Sequence, residues 1–170
     1  GFVINKSDTL KPLIYGGTGI DSANLNMPNT IPERFEAGSP NVIAIAGLNA
    51  ALKWINEIGI DNIFAKEKEK FNRLVTILSK YDNIKTYIHP QKKQVGIIGS
   101  VFDTYSCDNI GNVLSDHDIA VRTGLHCAPE SHAFMGTYPA GTVRFSVGYF
   151  TTEDDFKQLN DVLDLIEENT

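Results

Sequence analysis

Arg122-Thr123-Gly124-Leu125-His126-Cys127-Ala128-Pro129, followed shortly by Thr142-Val143-Arg144-Phe145-Ser146, is the pair of stretches on which fold and chemistry both turn. The first sets a thiol directly after a histidine and five residues after an arginine, in a loop punctuated by Gly124 and Pro129. Nearby cations favour a thiolate and a loop leaves sulfur free to reach a substrate, so Cys127 reads as a reactive cysteine. Adjacent loop side chains often point apart, however, and the alternative is a small buried hydrophobe, which is also the plain reading of Cys107. Cys127 with His126 and His132 lacks the further Cys or His needed for a four-ligand zinc site. In the second stretch Arg144 alternates with Val143, Phe145 and Val147, so it takes the opposite face of a strand. It is either a surface ion-pair partner or a guanidinium fork for a carboxylate, and strand periodicity does not choose.

Working outward, Ile119 to Arg122 reads as a short strand and Thr142 to Val147 as a clear one. Ile84 to His89 and Val95 to Phe102 are β-leaning runs separated by Pro90-Gln91-Lys92-Lys93, hence neighbouring antiparallel strands. Asn109 to Ser115 reads as a short helix. Thr152-Glu153-Asp154-Asp155 is a capping signature ahead of Phe156, Leu159, Val162, Leu163 and Ile166 at helical spacing. Upstream, Asn41 to Gly59 is helical and apolar nearly all round, which predicts a well-buried helix. Asp61 can cap a second helix whose stripe is Phe64, Phe71, Leu74, Val75 and Leu78, with charges such as Glu69 and Arg73 on its other side. Residues 1 to 41, by contrast, are irregular and rich in Gly and Pro, long for a loop inside a compact domain. Such a segment needs something to lie against, which suggests the back part of a larger protein. Gly16-Gly17-Thr18-Gly19 is not a nucleotide P-loop, because no Lys-Ser/Thr follows and Asn24 to Pro28 cannot continue as the required helix.

The 170 residues carry 15 basic and 21 acidic side chains, a net charge of −6, and 42% are hydrophobic. This is ordinary globular composition and excludes a disordered chain. Seven acids against Lys157 alone in Thr152–Thr170 account for the whole excess, so nucleic acid is not the expected partner. There is neither an apolar run long enough to span a membrane nor a signal-peptide pattern at the start, and the expectation is a soluble, cytoplasmic protein.

Taken together, these stretches resemble the C-terminal part of cysteine desulfurases and selenocysteine lyases, in the class V aminotransferase group of pyridoxal-phosphate enzymes. Arg34-Phe35-Glu36-Ala37-Gly38-Ser39-Pro40-Asn41 is similar to that group's RFEAGTPN segment, with Ser39 in place of threonine, and Gly16 to Gly19 resembles its glycine-rich turn. The resemblance implies an α/β fold: a remnant of the large cofactor domain over residues 1–59, ending in a linking helix, and over 60–170 a small C-terminal domain with a short, mainly antiparallel sheet covered by helices. It implies that Cys127 is the nucleophile taking sulfur from cysteine as a persulfide and leaving alanine. Arg144 would hold the substrate carboxylate, with Arg122 supporting charge and His126 carrying protons. Ser39 would reach the cofactor phosphate across a homodimer, and Gly17 and Thr18 would also bind the cofactor. A protein that accepts the persulfide is the further partner implied.

One departure bears on activity. The family's cofactor-anchoring lysine lies in a histidine-lysine motif upstream of the glycine turn, and only Lys6 and Lys11 stand there, neither in such a motif. Gly1-Phe2-Val3-Ile4 looks like the strand that follows the lysine loop, so the expectation is a C-terminal fragment, inactive alone. Two other functions fit the same residues. One is an aminotransferase or C–S lyase acting on another amino acid, with Cys127 incidental. The other is a non-catalytic sulfur-carrying or interaction module.

Overall fold

A computed structural model describes residues 10–89, 91–92 and 94–169. The expected strand at Gly1 to Ile4, and Lys6, lie outside the described residues. The order is a 3-10 turn at Glu33–Phe35, α1 (Val42–Ile58), α2 (Ile60–Leu78), β1 (Ile84–Tyr87), β2 (Ile97–Phe102), α3 (Cys107–Asp116), β3 (Arg122–Gly124), α4 (Pro129–Met135), β4 (Thr142–Ser146) and α5 (Glu153–Glu168). The chain divides into two compact units, Gly1–Trp54 and Ile55–Thr170.

In the second unit the four strands form one antiparallel sheet in the order β1-β2-β4-β3. Alternation sends Ile98, Phe102, Val143 and Phe145 into a core shared with Phe71, Leu74 and Leu78 of α2, Ile110 and Leu114 of α3, and Phe156, Leu159 and Leu163 of α5. The other face carries Gly99, Thr142, Arg144, Arg122 and Gly124, since Gly99 and Arg122 pair with Arg144, and Gly124 with Thr142. Three helices on one face thus leave the opposite face for chemistry. This is the α/β arrangement, a short antiparallel sheet covered by helices, that the family resemblance implies.

Local chemistry accounts for the element ends. Thr152 and Asp155 form the expected reciprocal cap, with Asp155 N–H donating to Thr152 Oγ1 at 3.3 Å and Thr152 N–H to Asp155 Oδ2 at 2.6 Å. These bonds hold the Asp155 carboxyl below its ordinary pKa. Ser106 caps α3 through Asn109 N–H, so that helix starts at Cys107, two residues before the sequence reading. Gly59 ends α1 at φ +86.

Three expectations are corrected. α1 contains no buried residue, and Val42, Ile43, Ile45, Leu48 and Leu52 are exposed. An all-round apolar helix is buried only where elements surround it, and the described residues supply no such cover. The short strand is Arg122–Gly124 rather than Ile119 to Arg122, because β4 pairs with the later residues. Finally, α4 follows Cys127 where no helix was read: Pro129 opens it and Gly136, at φ +73, closes it.

Tyr81 ties α2's end to α5, its hydroxyl donating to Asp164 Oδ1 at 2.6 Å. Burial, followed by the Asp164 bond and charge, pushes the phenol well above its ordinary pKa. A raised folded-state value contributes stability below about pH 10, the unfolded tyrosine value, and that contribution is lost as pH rises beyond it. Tyr81→Phe should therefore cost about 1–2 kcal/mol at pH 7. Urea unfolding at pH 7 and again above about pH 10 should show the gap to wild type narrowing; an unchanged gap would refute this account.

Candidate functional site

The β3–α4 connection carries the thiol. Ala128 N–H donates to Leu125 C=O at 2.8 Å, closing a four-residue turn whose central residues, His126 and Cys127, have φ of +50 and +61. Two consecutive positive φ values are the pattern of a type I′ turn, normally filled by Asn-Gly. For side-chain-bearing residues this costs about 1–2 kcal/mol each. Such strain persists only where its surroundings impose it. Here it turns the sulfur outward: Cys127 is exposed, which removes the reading of it as a buried hydrophobe.

Three side chains converge there. Arg122 Nη2 contacts Cys127 Sγ at 3.5 Å. Arg144 sits directly across the ladder from Arg122 on the same face, and its Nε is buried without a hydrogen-bond partner. Like charges directly opposed in a sheet repel, and among the described residues neither guanidinium has a carboxylate within ion-pair distance. His126 is half-buried; its Nε2 lies 3.0 Å from Thr142 Oγ1, while its Nδ1 is buried and partnerless. Burial lowers its pKa, Arg144, His132 and Arg122 add to this, and a hydrogen bond donated by the ring to the Thr142 backbone carbonyl opposes it. The larger of these effects favour the neutral ring. A cation pair with a spare donor, beside a histidine and an exposed thiol, is suited to holding an anionic substrate within reach of a nucleophile.

The structure therefore brings Arg122, His126, Cys127 and Arg144 together. The residues expected to bind the cofactor lie in the other unit, where Gly38 N–H donates to Gly17 C=O at 2.7 Å and joins the glycine turn to the segment bearing Ser39. Ser39 and Gly17 are exposed and Thr18 half-exposed. Hydroxyls beside a glycine turn open to solvent are a donor set suited to phosphate. Cys107 is half-buried, its thiol donating to Ala140 C=O at 2.9 Å, with burial raising its pKa. Among the described residues no group of His, Cys, Asp or Glu could hold a metal ion, and no helix is long and apolar enough to cross a membrane.

Sequence reasoning missed Thr142 and Thr137, and weighed His132 only as a metal ligand. His132 is 4% exposed, its Nδ1 is 2.7 Å from Thr137 Oγ1, and its ring lies 5.6 Å from that of His126. The available signal for Thr142 was its position two residues before Arg144, on the same strand face.

Comparison with known proteins bears on this geometry. Residues 1–159 match the family described as aminotransferase class-V. A probable cysteine desulfurase of Haemophilus influenzae is 30% identical over 93% of this chain and 37% of its own length. A cysteine desulfurase of Cronobacter sakazakii is 33% identical over 94% of this chain and 40% of its own. The apo structure of a cysteine desulfurase from Thermococcus onnurineus superposes with a TM-score of 0.81 at 28% identity, covering 96% of this chain and 41% of that one. The chain thus spans about two fifths of the length of these relatives.

Proposed function

The chain belongs to the class V aminotransferase family, and from that premise we propose that it is the C-terminal region of a pyridoxal-phosphate-dependent cysteine desulfurase. One observation carries this reading: the unneutralised Arg122–Arg144 pair beside the exposed Cys127 sulfur. Paired guanidiniums offer a bidentate grip on an amino-acid carboxylate. The partnerless Arg144 Nε and His126 Nδ1 are the groups a bound substrate would satisfy. In this reading residues 1–59 belong to the large cofactor domain and 60–170 to the small domain.

When bound, pyridoxal phosphate supplies the electron sink for bond cleavage at the substrate. Thr18 and Ser39 would hold its phosphate beside Gly17, Ser39 doing so across a homodimer. Arg144 and Arg122 orient the substrate carboxylate. Cys127 sulfur attacks the sulfur of L-cysteine: a new S–S bond forms, the substrate carbon–sulfur bond breaks, and its electron pair stays with the carbon. That carbon takes a proton and leaves as the methyl group of alanine, and the persulfide remains on Cys127. His126 is the proton carrier in this reading. The persulfide then passes to an acceptor protein. Because neither Lys6 nor Lys11 stands in the family's histidine-lysine motif, this chain by itself does not turn over cysteine.

Product analysis on the complete, cofactor-loaded enzyme tests the assignment. Alanine and a Cys127 persulfide in equal amounts are expected from L-cysteine. Pyruvate with ammonia would instead establish a C–S lyase.

A further inference from the structure

We propose that Thr142 is a positioning residue for the thiol turn: through its hydroxyl it fixes the His126 ring, and the ring holds the backbone on which Cys127 is presented. Thr142 is 2% exposed at the start of β4. A valine would fill that volume and suit the strand equally well, without the cost of burying a hydroxyl. The hydroxyl is instead bonded to His126 Nε2 at 3.0 Å. Ser100, on the opposite sheet face, shows the contrast: its hydroxyl is equally buried and has no partner.

His126 is held from a second side by the His132 ring, tilted at 48° and itself fixed by Thr137. The ring is therefore anchored at one edge and one face, while its backbone occupies the first of the two left-handed positions. Besides the bond the His126 ring makes to the Thr142 backbone carbonyl, the turn's central side chains have a further polar tie in the Arg122–Cys127 contact, which is exposed to solvent. Of the side-chain ties, the Arg122–Cys127 contact is exposed, whereas the bond to the Thr142 hydroxyl is part-buried. It is therefore what keeps two side-chain-bearing residues in a conformation they otherwise leave. The geometric claim is independent of the reaction; its consequence for catalysis rests on the reading of Cys127 as nucleophile.

The test uses the full chain, isotopically labelled, with Thr142→Val and Thr142→Ser. In wild type and Thr142→Ser, the two His126 ring nitrogens should show the widely separated shifts of one fixed tautomer. In Thr142→Val that separation should collapse toward an average, and exchange of the Ala128 amide, which closes the turn, should accelerate about tenfold or more. A merely structural threonine would not give tautomer averaging reversed by serine. Identical His126 shifts and Ala128 exchange in Thr142→Val would overturn the proposal. Should Thr142→Val fail to fold, His126→Phe removes the same bond from the half-buried side, and unchanged Ala128 exchange there overturns it equally. Neither result depends on whether Cys127 transfers sulfur, so this proposal and the desulfurase reading fail separately.

Discussion

Cys127→Ser in the complete enzyme loaded with pyridoxal phosphate should lower the formation of alanine from L-cysteine on the order of 10³-fold or more, with KM nearly unchanged. The split follows from the placement of the groups. Arg122 and Arg144 lie on the sheet, in β3 and β4, and the substitution leaves both in place, so carboxylate binding persists. What is lost is the sulfur at the apex of the turn, 3.5 Å from Arg122. A serine hydroxyl there is a far weaker nucleophile at neutral pH. Because Cys127 is exposed and makes no core contact, the variant should unfold at the wild-type denaturant concentration. Alkylating the wild-type enzyme at Cys127 should reproduce the loss. Undiminished alanine formation in either experiment would remove Cys127 from the chemistry and revive the aminotransferase and C–S lyase readings.

Much of this site was legible in the sequence because its residues lie close together along the chain. Arg122, His126 and Cys127 fall within six positions, and strand alternation alone placed Arg144 opposite Val143 and Phe145, now 0% and 3% exposed. Alternation could not supply the pairing of Arg122 with Arg144, because register between β3 and β4 is a tertiary fact. For the same reason the strand was read early, over Ile119 to Arg122: Ile119, Ala120 and Val121 look β-like, yet β4 pairs with Arg122 to Gly124. α1 shows a different limit. Apolar residues on every side report what a helix can bury, not whether its surroundings lie among these residues, and here they leave Ile43 and Leu48 exposed. The left-handed turn was illegible altogether, since His-Cys carries none of the Gly or Asn that normally marks positive φ. Its cause lies in Thr142, distant in sequence, and in how closely β4 approaches Gly124.

That approach depends on Gly141, and Gly141→Ala should be the most destabilising single substitution near the site. Gly141 has φ of +82, where an alanine is strained, and a Cβ there would fall within the van der Waals envelope of the Gly124 backbone carbonyl. The Gly141 N–H also donates to Thr137 C=O at 2.6 Å, so the loop cannot move away without breaking a bond. Left-handed strain and overlap with rigid backbone together should cost roughly 3–5 kcal/mol, a lowering of Tm by about 10 °C. Gly136→Ala separates the two contributions. Its φ is +73, but nothing lies within 4 Å of the added carbon, so it should cost only about 1–2 kcal/mol. Calorimetry of the two variants measures the difference directly. Equal losses would mean that conformation alone matters at both sites. A larger loss at Gly141, accompanied by faster Ala128 exchange that Gly136→Ala does not produce, would tie the Gly124–Gly141 contact to the seating of Thr142 under His126, and hence to the posture of the thiol itself.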